Sequence, residues 1–217
     1  MAAKSMLIIG LGNFGGNLAA KLISLGNDVM VIDLDEKVVN EFQDKYNPSN
    51  SWFGDCTSEV AIKKLGVKNF DVCFVTIGGS LEANLQITSF LKKYGAKMVV
   101  SKAVNELQET LLKAAGADLV INPEAERAGD LAKTYTYDNI FDYVELEEGF
   151  ATAEINPLKI WLGRTILEVD VRRKYQITIF AVKRKDGMTI VPGPDYIFQK
   201  GDHLRIVGTT DIVKKFR

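Results

Sequence analysis

The stretch IIGLGNFGGNLAAKLISLGNDVMVIDLDE, from Ile8 to Glu36, decides the fold. Gly10, Gly12 and Gly15 follow a short apolar run and open a segment whose leucines recur at helical spacing. A second apolar run ends at Asp33, 18 residues after Gly15. This order of strand, GxGxxG, helix, strand and acid is typical of a βαβ unit that binds the phosphates and ribose of a nucleotide.

Each glycine of the loop has a physical reason. Gly10 permits the tight turn, Gly12 lets a phosphate approach the backbone, and Gly15 lets the helix pack closely on the sheet. Asn13 and Phe14, between the second and third glycines, belong to the same predicted site. The helix start adds unpaired N–H groups and the positive end of a dipole. The alternative is a glycine turn that serves packing alone.

Asp33 predicts which nucleotides fit. A carboxylate at the end of the second strand accepts hydrogen bonds from both ribose hydroxyls and repels a 2′-phosphate. NAD, ATP and ADP are therefore favoured over NADP.

Further strand–helix units follow the first and predict a Rossmann-like, doubly wound parallel α/β sheet. The predicted strands are 6–10, 28–33, 51–55, 71–77, 97–102 and 118–123, and the predicted helices between them are 13–25, 36–45, 81–94 and 104–114.

The carboxyl ends of these strands should line one crevice. Asp55 is placed to meet an adenine amino group and Lys102 to meet a phosphate. Glu124 is suited to a hard cation such as Mg²⁺, if phosphates supply the other ligands. For each of these residues, a loop or capping role is an equal alternative; residues 55–57, for instance, precede a helix.

The pattern changes after a predicted helix at 124–135. Residues 138–149 are acidic and mixed and predict a hinge, and after Gly149 the periodicity shortens towards two, with strands expected at 176–184 and 203–208. We predict a nucleotide-binding domain at 1–138 and a small α+β domain, with the hinge, at 139–217. The aromatic stretch 135–144 packs either on a partner subunit or between the two domains of its own chain.

Bulk composition excludes several classes of protein. The 217 residues are 47% hydrophobic with a formal net charge of −1, so no basic field attracts nucleic acid. No apolar run approaches the roughly 20 residues that span a bilayer. We expect no signal peptide, and Cys56 and Cys73, the only cysteines, follow no metal or redox spacing, which fits a cytoplasmic protein.

An NAD-dependent oxidoreductase is the main alternative to a nucleotide sensor. It needs an acid or base beside the nicotinamide. His203, the only histidine, falls in a late strand, and the Tyr196–Lys200 spacing known from short-chain dehydrogenases leads into a turn here. We therefore expect no enzyme. A nucleotide-binding protein that acts without a transporter is the third alternative.

With these segments, the sequence resembles the RCK (regulator of K⁺ conductance), or TrkA, family. The matching stretches are IIGLGNFGGNLAAKL (8–22), VIDLDE (31–36), GDCTSEVAIKKLGVKNFDVCFVTIGGSLEAN (54–84), KAAGADLVINPE (113–124), LGRTILEVDVRRKYQITIFAVKR (162–184) and GDHLRIVG (201–208). The resemblance implies an RCK N-terminal domain and a TrkA-C type domain. It also implies dimers assembled into a ring, usually octameric, on the cytosolic face of a membrane potassium transporter of Trk/Ktr type.

The resemblance also implies ligands. In such proteins ATP, ADP or NAD(H) changes the shape of the ring and so gates the pore. Carried over by position, Asp55 and Cys56 flank the adenine, Ile77 and Gly78 form the opposite wall, and Lys102 lies near the phosphates. Glu124 matches an acidic residue linked to cation binding.

Two features of the resemblance leave the ligand open. Ktr-type members often carry arginine where this chain has Asn13, and asparagine has no charge to reach a γ-phosphate. We therefore do not expect this position to discriminate ATP from ADP, and NAD(H) or ADP stays open. Some relatives bind cyclic di-AMP in the C-terminal domain, and the basic run Arg172, Arg173 and Lys174 lies in the matching region; a solvated basic face is the alternative.

Overall fold

A computed structural model describes residues 3–136, 140–146 and 149–216 of the chain. These residues form two compact units, which divide between Ala125 and Glu126. The predicted boundary between 138 and 139 falls outside the described residues.

The first unit alternates strands and helices. Its elements are β1 (Ser5–Ile9), α1 (Asn13–Ser24), β2 (Asp28–Asp33), α2 (Glu36–Tyr46), β3 (Asn50–Phe53), α3 (Glu59–Lys64), β4 (Val72–Val75), α4 (Leu81–Lys93), β5 (Val99–Lys102), α5 (Glu106–Ala114), β6 (Leu119–Ile121) and the start of α6 (Pro123–Thr136).

The sheet of the first unit confirms the predicted α/β class. Its six strands are parallel in the order β3-β2-β1-β4-β5-β6, which is the doubly wound order. Strand β1 pairs with both β2 and β4, so the strand order reverses there. Ligands of such sheets bind outside the carboxyl ends of the strands at this reversal.

Alternating side chains of β1 explain why helices cover both faces. Leu7 and Ile9 pack in one core with α4, whereas Met6 and Ile8 pack in a second core with Ala19 of α1. Every residue of β5 is buried, as expected of a central parallel strand.

Helix α5 begins two residues later than predicted. The side chain of Asn105 accepts a hydrogen bond from the backbone N–H of Gln108, so Asn105 is the N-cap and the helix starts at Glu106. A cap of this kind satisfies one of the N–H groups that the first turn leaves unpaired.

The second unit is a small α+β domain, as predicted. After the end of α6, its elements are β7 (Ile140–Glu145), β8 (Phe150–Ile155), α7 (Ile166–Val169), α8 (Val171–Tyr175), β9 (Thr178–Lys183), β10 (Thr189–Ile190), β11 (His203–Thr209) and α9 (Thr210–Val213). The strands form an antiparallel sheet in the order β10-β9-β11-β8-β7. Trp161 and Phe198 are the largest side chains that are fully buried in its core.

The predicted hinge over 138–149 is wrong for residues 140–145, which form the edge strand β7; residues 138, 139, 147 and 148 lie outside the described residues. Ile140 and Tyr143 are three positions apart, and the register shift between Ile140 and Asp142 lets both be buried in the core of the second unit. The aromatic stretch is thus divided: these two residues pack within their own chain, while Tyr135 and Phe141 are exposed.

No helix among residues 3–136, 140–146 and 149–216 is long and apolar enough to cross a membrane.

Tyr196→Phe should destabilise the second unit. The Tyr196 hydroxyl donates a 2.8 Å hydrogen bond to Asp202, a carboxylate that is only 1% exposed, and burial together with Asp202 raises the pKa of Tyr196 to about 12. Losing a donor to a buried charge costs about 1–3 kcal/mol, which lowers Tm by several degrees in differential scanning calorimetry. Tyr135→Phe, at an exposed position, should leave Tm unchanged; equal melting of both variants would contradict this role for Tyr196.

Candidate functional site

A cleft of about 380 Å³ opens at the carboxyl ends of β1, β2 and β4, where the strand order reverses. This size lies in the range of small-molecule sites. Of the sequence-predicted site residues, the cleft brings together Gly10, Gly12, Asp33, Asp55, Cys56, Ile77 and Gly78.

The glycine loop is held by a side chain from β4's carboxyl end. The buried Thr76 hydroxyl donates to the Gly10 carbonyl oxygen at 2.6 Å, and the Ile9 carbonyl oxygen lies 3.1 Å away. Gly10 has a φ of +103°, a backbone conformation that residues with a Cβ rarely adopt. The turn between β1 and α1 is therefore fixed to the neighbouring strand.

Gly15 and Gly12 meet opposite surroundings. A Cβ on Gly15 would lie 2.0 Å from the Gly10 carbonyl oxygen and 2.4 Å from Thr76 Oγ1, so helix α1 touches the loop directly. A Cβ on Gly12 would meet no atom within 4 Å. Packing thus explains Gly15, whereas the space beside Gly12 is open to a ligand.

The start of helix α1 offers unshielded N–H groups. Its N-cap is Gly12, which has no side chain to cap the first turn, and the first turn carries no acidic residue. The N-terminal partial positive charge of this 12-residue helix is therefore available to an anion.

Asp33 already takes part in the loop. Its Oδ2 accepts a 2.6 Å hydrogen bond from the backbone N–H of Leu11, and its Oδ1 accepts a 3.0 Å bond from the N–H of Asp35. A carboxylate has about four acceptor positions, so two remain for hydroxyl donors. Asp33 therefore stabilises the glycine loop and also offers free acceptor positions at the wall of the cleft.

The Asp55 carboxylate accepts hydrogen bonds within its own loop. Its Oδ1 accepts bonds from the N–H and the hydroxyl of Thr57 at 2.8 and 2.7 Å, and these bonds lower the pKa of Asp55. The carboxylate remains exposed, so its other oxygen is accessible. The N-cap of α3 is Ser58, not a residue of 55–57.

Cys56 lines the cleft as a neutral thiol. Burial, with the charges of Asp55 and Asp33, raises its pKa to about 12. A thiol with such a pKa is almost entirely protonated near pH 7 and is a poor nucleophile. Its side chain forms part of an apolar wall with Ile9, Ile32 and Ile77.

Helix α4 contributes cleft residues that the sequence analysis missed. Ala83 and Ile87 of α4, together with its N-cap Ser80, line the cleft. The available signal was Ser80, since a serine before a helical apolar pattern is a typical N-cap, and its side chain does accept from the N–H of Ala83.

Lys102, Phe14 and Glu124 lie beside the cleft rather than in its wall. The Lys102 side chain is only 10% exposed and forms an ion pair with Glu124, whose side chain is 64% exposed. The ammonium lies 5.8 Å from the centroid of the Phe14 ring. It lies 3.9 Å from the position that a Cβ on Gly78 would take. The hydrogen bond from Lys102 lowers the pKa of Glu124.

No group of three or more metal-ligating side chains occurs in the described parts of the chain. Glu124 therefore offers one carboxylate, already engaged with Lys102, to any cation. Asn13 is exposed at the start of α1, where its carbonyl oxygen accepts a 2.6 Å hydrogen bond from Asn17.

A second concavity lies in the second unit. This groove of about 380 Å³ is lined by Arg172 and by mostly apolar residues: Ile166, Leu167, Asp170, Val171, Thr178, Ile179, Pro192, Gly193 and Pro194. Arg173, on the same short helix, is exposed and lies outside this lining.

Gly15→Ala and Gly12→Ala should behave differently although the chemical change is the same. Overpacking at Gly15 costs about 1–3 kcal/mol or more, because the new methyl group would meet backbone atoms. The Gly12 change costs less than about 1 kcal/mol, since alanine is only a poorer N-cap. Urea denaturation measures both, and equal losses would contradict the assigned packing of Gly15.

Family models and known structures agree with this architecture. The TrkA-N domain model matches residues 6–123 and the TrkA-C domain model matches residues 150–217. Ktr system potassium uptake protein C of Bacillus subtilis (strain 168) is 35% identical over 213 residues, which cover 98% of this chain and 96% of that protein.

Two solved structures share the fold over nearly the whole chain. The GsuK RCK domain superimposes with a TM-score of 0.68 at 17% identity, covering 98% of this chain and 46% of that one. The GsuK channel bound to NAD gives a TM-score of 0.55 at 25% identity, covering 100% of this chain and 38% of that one. This chain thus spans less than half the length of either solved chain. It belongs to the TrkA (RCK) family, as a TrkA-N domain followed by a TrkA-C domain.

Proposed function

We propose that this protein is a nucleotide-sensing regulatory subunit of a Trk/Ktr-type potassium uptake system. The observation that carries the proposal is the cleft, in which an open glycine, an uncapped helix start and a strand-end carboxylate converge. The relationship to a Ktr potassium uptake protein over nearly the full length of both chains supports the transport context.

An adenine nucleotide fits the chemistry of the cleft. Its apolar wall of Ile9, Ile32 and Ile77 suits a flat base, and the free acceptor positions of Asp33 suit the ribose hydroxyls. The phosphates then lie over Gly12 at the start of α1. The charge of Asp33 disfavours a 2′-phosphate, so the proposed ligands are ATP, ADP or NAD(H) and not NADP.

These ligands differ in the part that lies beyond the first phosphates, and the choice among them depends on how the protein contacts that part. A relative at 25% identity, the GsuK channel, binds NAD, which supports NAD(H). Asn13 provides no charge for a third phosphate, which removes one reason to prefer ATP over ADP. We keep both classes as ligands of one site, with the adenosine half in common.

Gating is proposed to proceed through an oligomeric ring docked on the cytosolic face of the membrane transporter. A ligand shifts such an assembly only if it binds one shape of the ring better than another. The dimers and the octameric ring are carried over from the family resemblance. Exposed apolar side chains such as Tyr135 and Phe141 are available for contacts between subunits.

Two further ligands belong to the proposal. Glu124 is the candidate carboxylate for Mg²⁺ or another cation, with phosphates as the remaining ligands. Cyclic di-AMP is the candidate for the groove of the second unit, where Arg172 supplies a charge that suits a phosphate and apolar residues suit a base.

The proposal includes no chemical change of the nucleotide. Tyr196 is bound to Asp202 in the second unit, and His203 lies 3.2 Å from Glu154 in the same unit, so both have structural neighbours. An NAD-dependent oxidoreductase and a stand-alone nucleotide-binding protein remain the alternatives. Oxidation of NADH in the presence of carbonyl compounds would favour the first, and binding without assembly would favour the second.

Asp33→Asn should weaken binding of ADP and of NAD⁺ at least tenfold in isothermal titration calorimetry. The amide keeps the shape but loses charge-assisted acceptance of the ribose hydroxyls. Asp44→Asn, an equally conservative change at an exposed position of α2, should leave the affinity unchanged. Unaltered binding by the Asp33 variant would contradict the assignment of the ribose site.

Light scattering should detect an assembly larger than a dimer when the nucleotide is present. The proposed ring requires it, because a gate needs subunits that move against one another. A monomer at micromolar concentration, with ADP or NAD⁺ bound, would contradict ring gating and leave the nucleotide site intact.

A further inference from the structure

The cleft has an unbalanced charge for a site that receives phosphates. Among its described lining residues, Asp33 and Asp55 are the only charged ones, and both are acidic. Two carboxylates near a phosphate are repulsive unless a cation is close. The start of α1 supplies only a partial positive charge.

Lys102 is the cation placed to correct this imbalance. Its ammonium lies near both Phe14, in the first turn of α1, and Gly78, in the loop that follows β4. The Lys102 side chain is almost fully buried, and its carbonyl oxygen accepts a 2.8 Å hydrogen bond from Asn84 of α4, so the residue is firmly placed. Four rotatable methylene groups nevertheless let the ammonium turn towards a new anion.

In the absence of a ligand, Glu124 neutralises this cation. Glu124 is the second residue of α6, and its partner belongs to β5, so the ion pair joins the start of α6 to the sheet. Because the carboxylate is more than half exposed, water readily solvates it once it is released. The pair is therefore strong enough to form and weak enough to be exchanged.

We propose that Glu124 competes with phosphate for Lys102. In the empty site the Glu124 carboxylate pairs with this lysine, and the phosphates of the ligand displace the carboxylate. Lys102 then exchanges one anion for another, while Glu124 is released from the lysine at the start of α6, where water solvates it unless a cation is bound. This inference rests on the proposed function and adds to it a competitor built into the chain. It also gives phosphate binding a direct effect on α6, the helix that leads from the first unit into the second.

The exchange makes the effect of Glu124 depend on phosphate. With EDTA present to exclude metal binding, Glu124→Gln should raise the affinity for ADP roughly two- to fivefold, the range expected for loss of a half-exposed ion pair. Adenosine has the same base and ribose but no phosphate, so its affinity should change less than twofold. Both are measured by calorimetry on the full chain.

Matched variants separate this exchange from a general structural role. Lys102→Met should lower ADP affinity about tenfold and leave adenosine binding unchanged, whereas Lys102→Arg should keep the preference for ADP. In the Lys102→Met background, Glu124→Gln should have no further effect, since there is no cation left to compete for. Glu109→Gln, which breaks the exposed Glu109–Lys113 pair on α5, is the control and should change neither affinity.

Three results would overturn the inference while the wild-type chain still binds ADP, so the proposed function would stand. They are weaker or unchanged ADP binding by Glu124→Gln in EDTA, an equal change for adenosine, and a Glu124→Gln effect that persists without Lys102. If the wild-type chain binds neither ADP nor NAD⁺, the proposed function and this inference both fail.

Discussion

The hydrogen bond from the Thr76 hydroxyl to the Gly10 carbonyl oxygen is the contact on which the site depends. It fixes the turn after β1 to the end of β4, at the place where the strand order reverses. Gly15 packs against the same two groups, so the position of the loop fixes the position of the first turn of α1. Asp33 holds the loop from its other side through Leu11. The open space over Gly12 is the result of these three constraints.

Charge determines how the proposed nucleotide sensor would work. A cleft with two carboxylates and no lysine or arginine among its described lining residues binds a phosphate weakly unless Lys102 is recruited. In the proposed exchange, recruitment requires the release of Glu124 from its ion pair with Lys102, and that release changes what holds the start of α6. The nucleotide then binds the state in which Glu124 is released better than the paired state, and such a difference in affinity is what a ligand needs to shift a conformational equilibrium.

Local patterns predicted most of the first unit, because parallel strands that are buried on both faces read as continuous apolar runs. The GxGxxG spacing and Asp33 also predicted where the cleft lies, because both belong to one βαβ unit whose parts are close in sequence. The strand at 140–145 was missed, because its buried residues Ile140 and Tyr143 are three positions apart and share one face only through a register shift, so the sequence shows no alternation there. The Lys102–Glu124 pair joins residues 22 positions apart, and the lining residues of α4 depend on how that helix packs, so neither was predictable from spacing.

The central claim is that the cleft binds an adenine nucleotide and returns it unchanged. A competition titration of the purified chain with ATP, ADP, NAD⁺, NADH and cyclic di-AMP, followed by chromatography of the recovered ligands, tests it most directly. The account predicts saturable binding of at least one adenine nucleotide at one site per chain, abolished by NAD⁺ or ADP competition and with the ligand recovered intact. Absence of any binding, or steady conversion of the ligand, would contradict it.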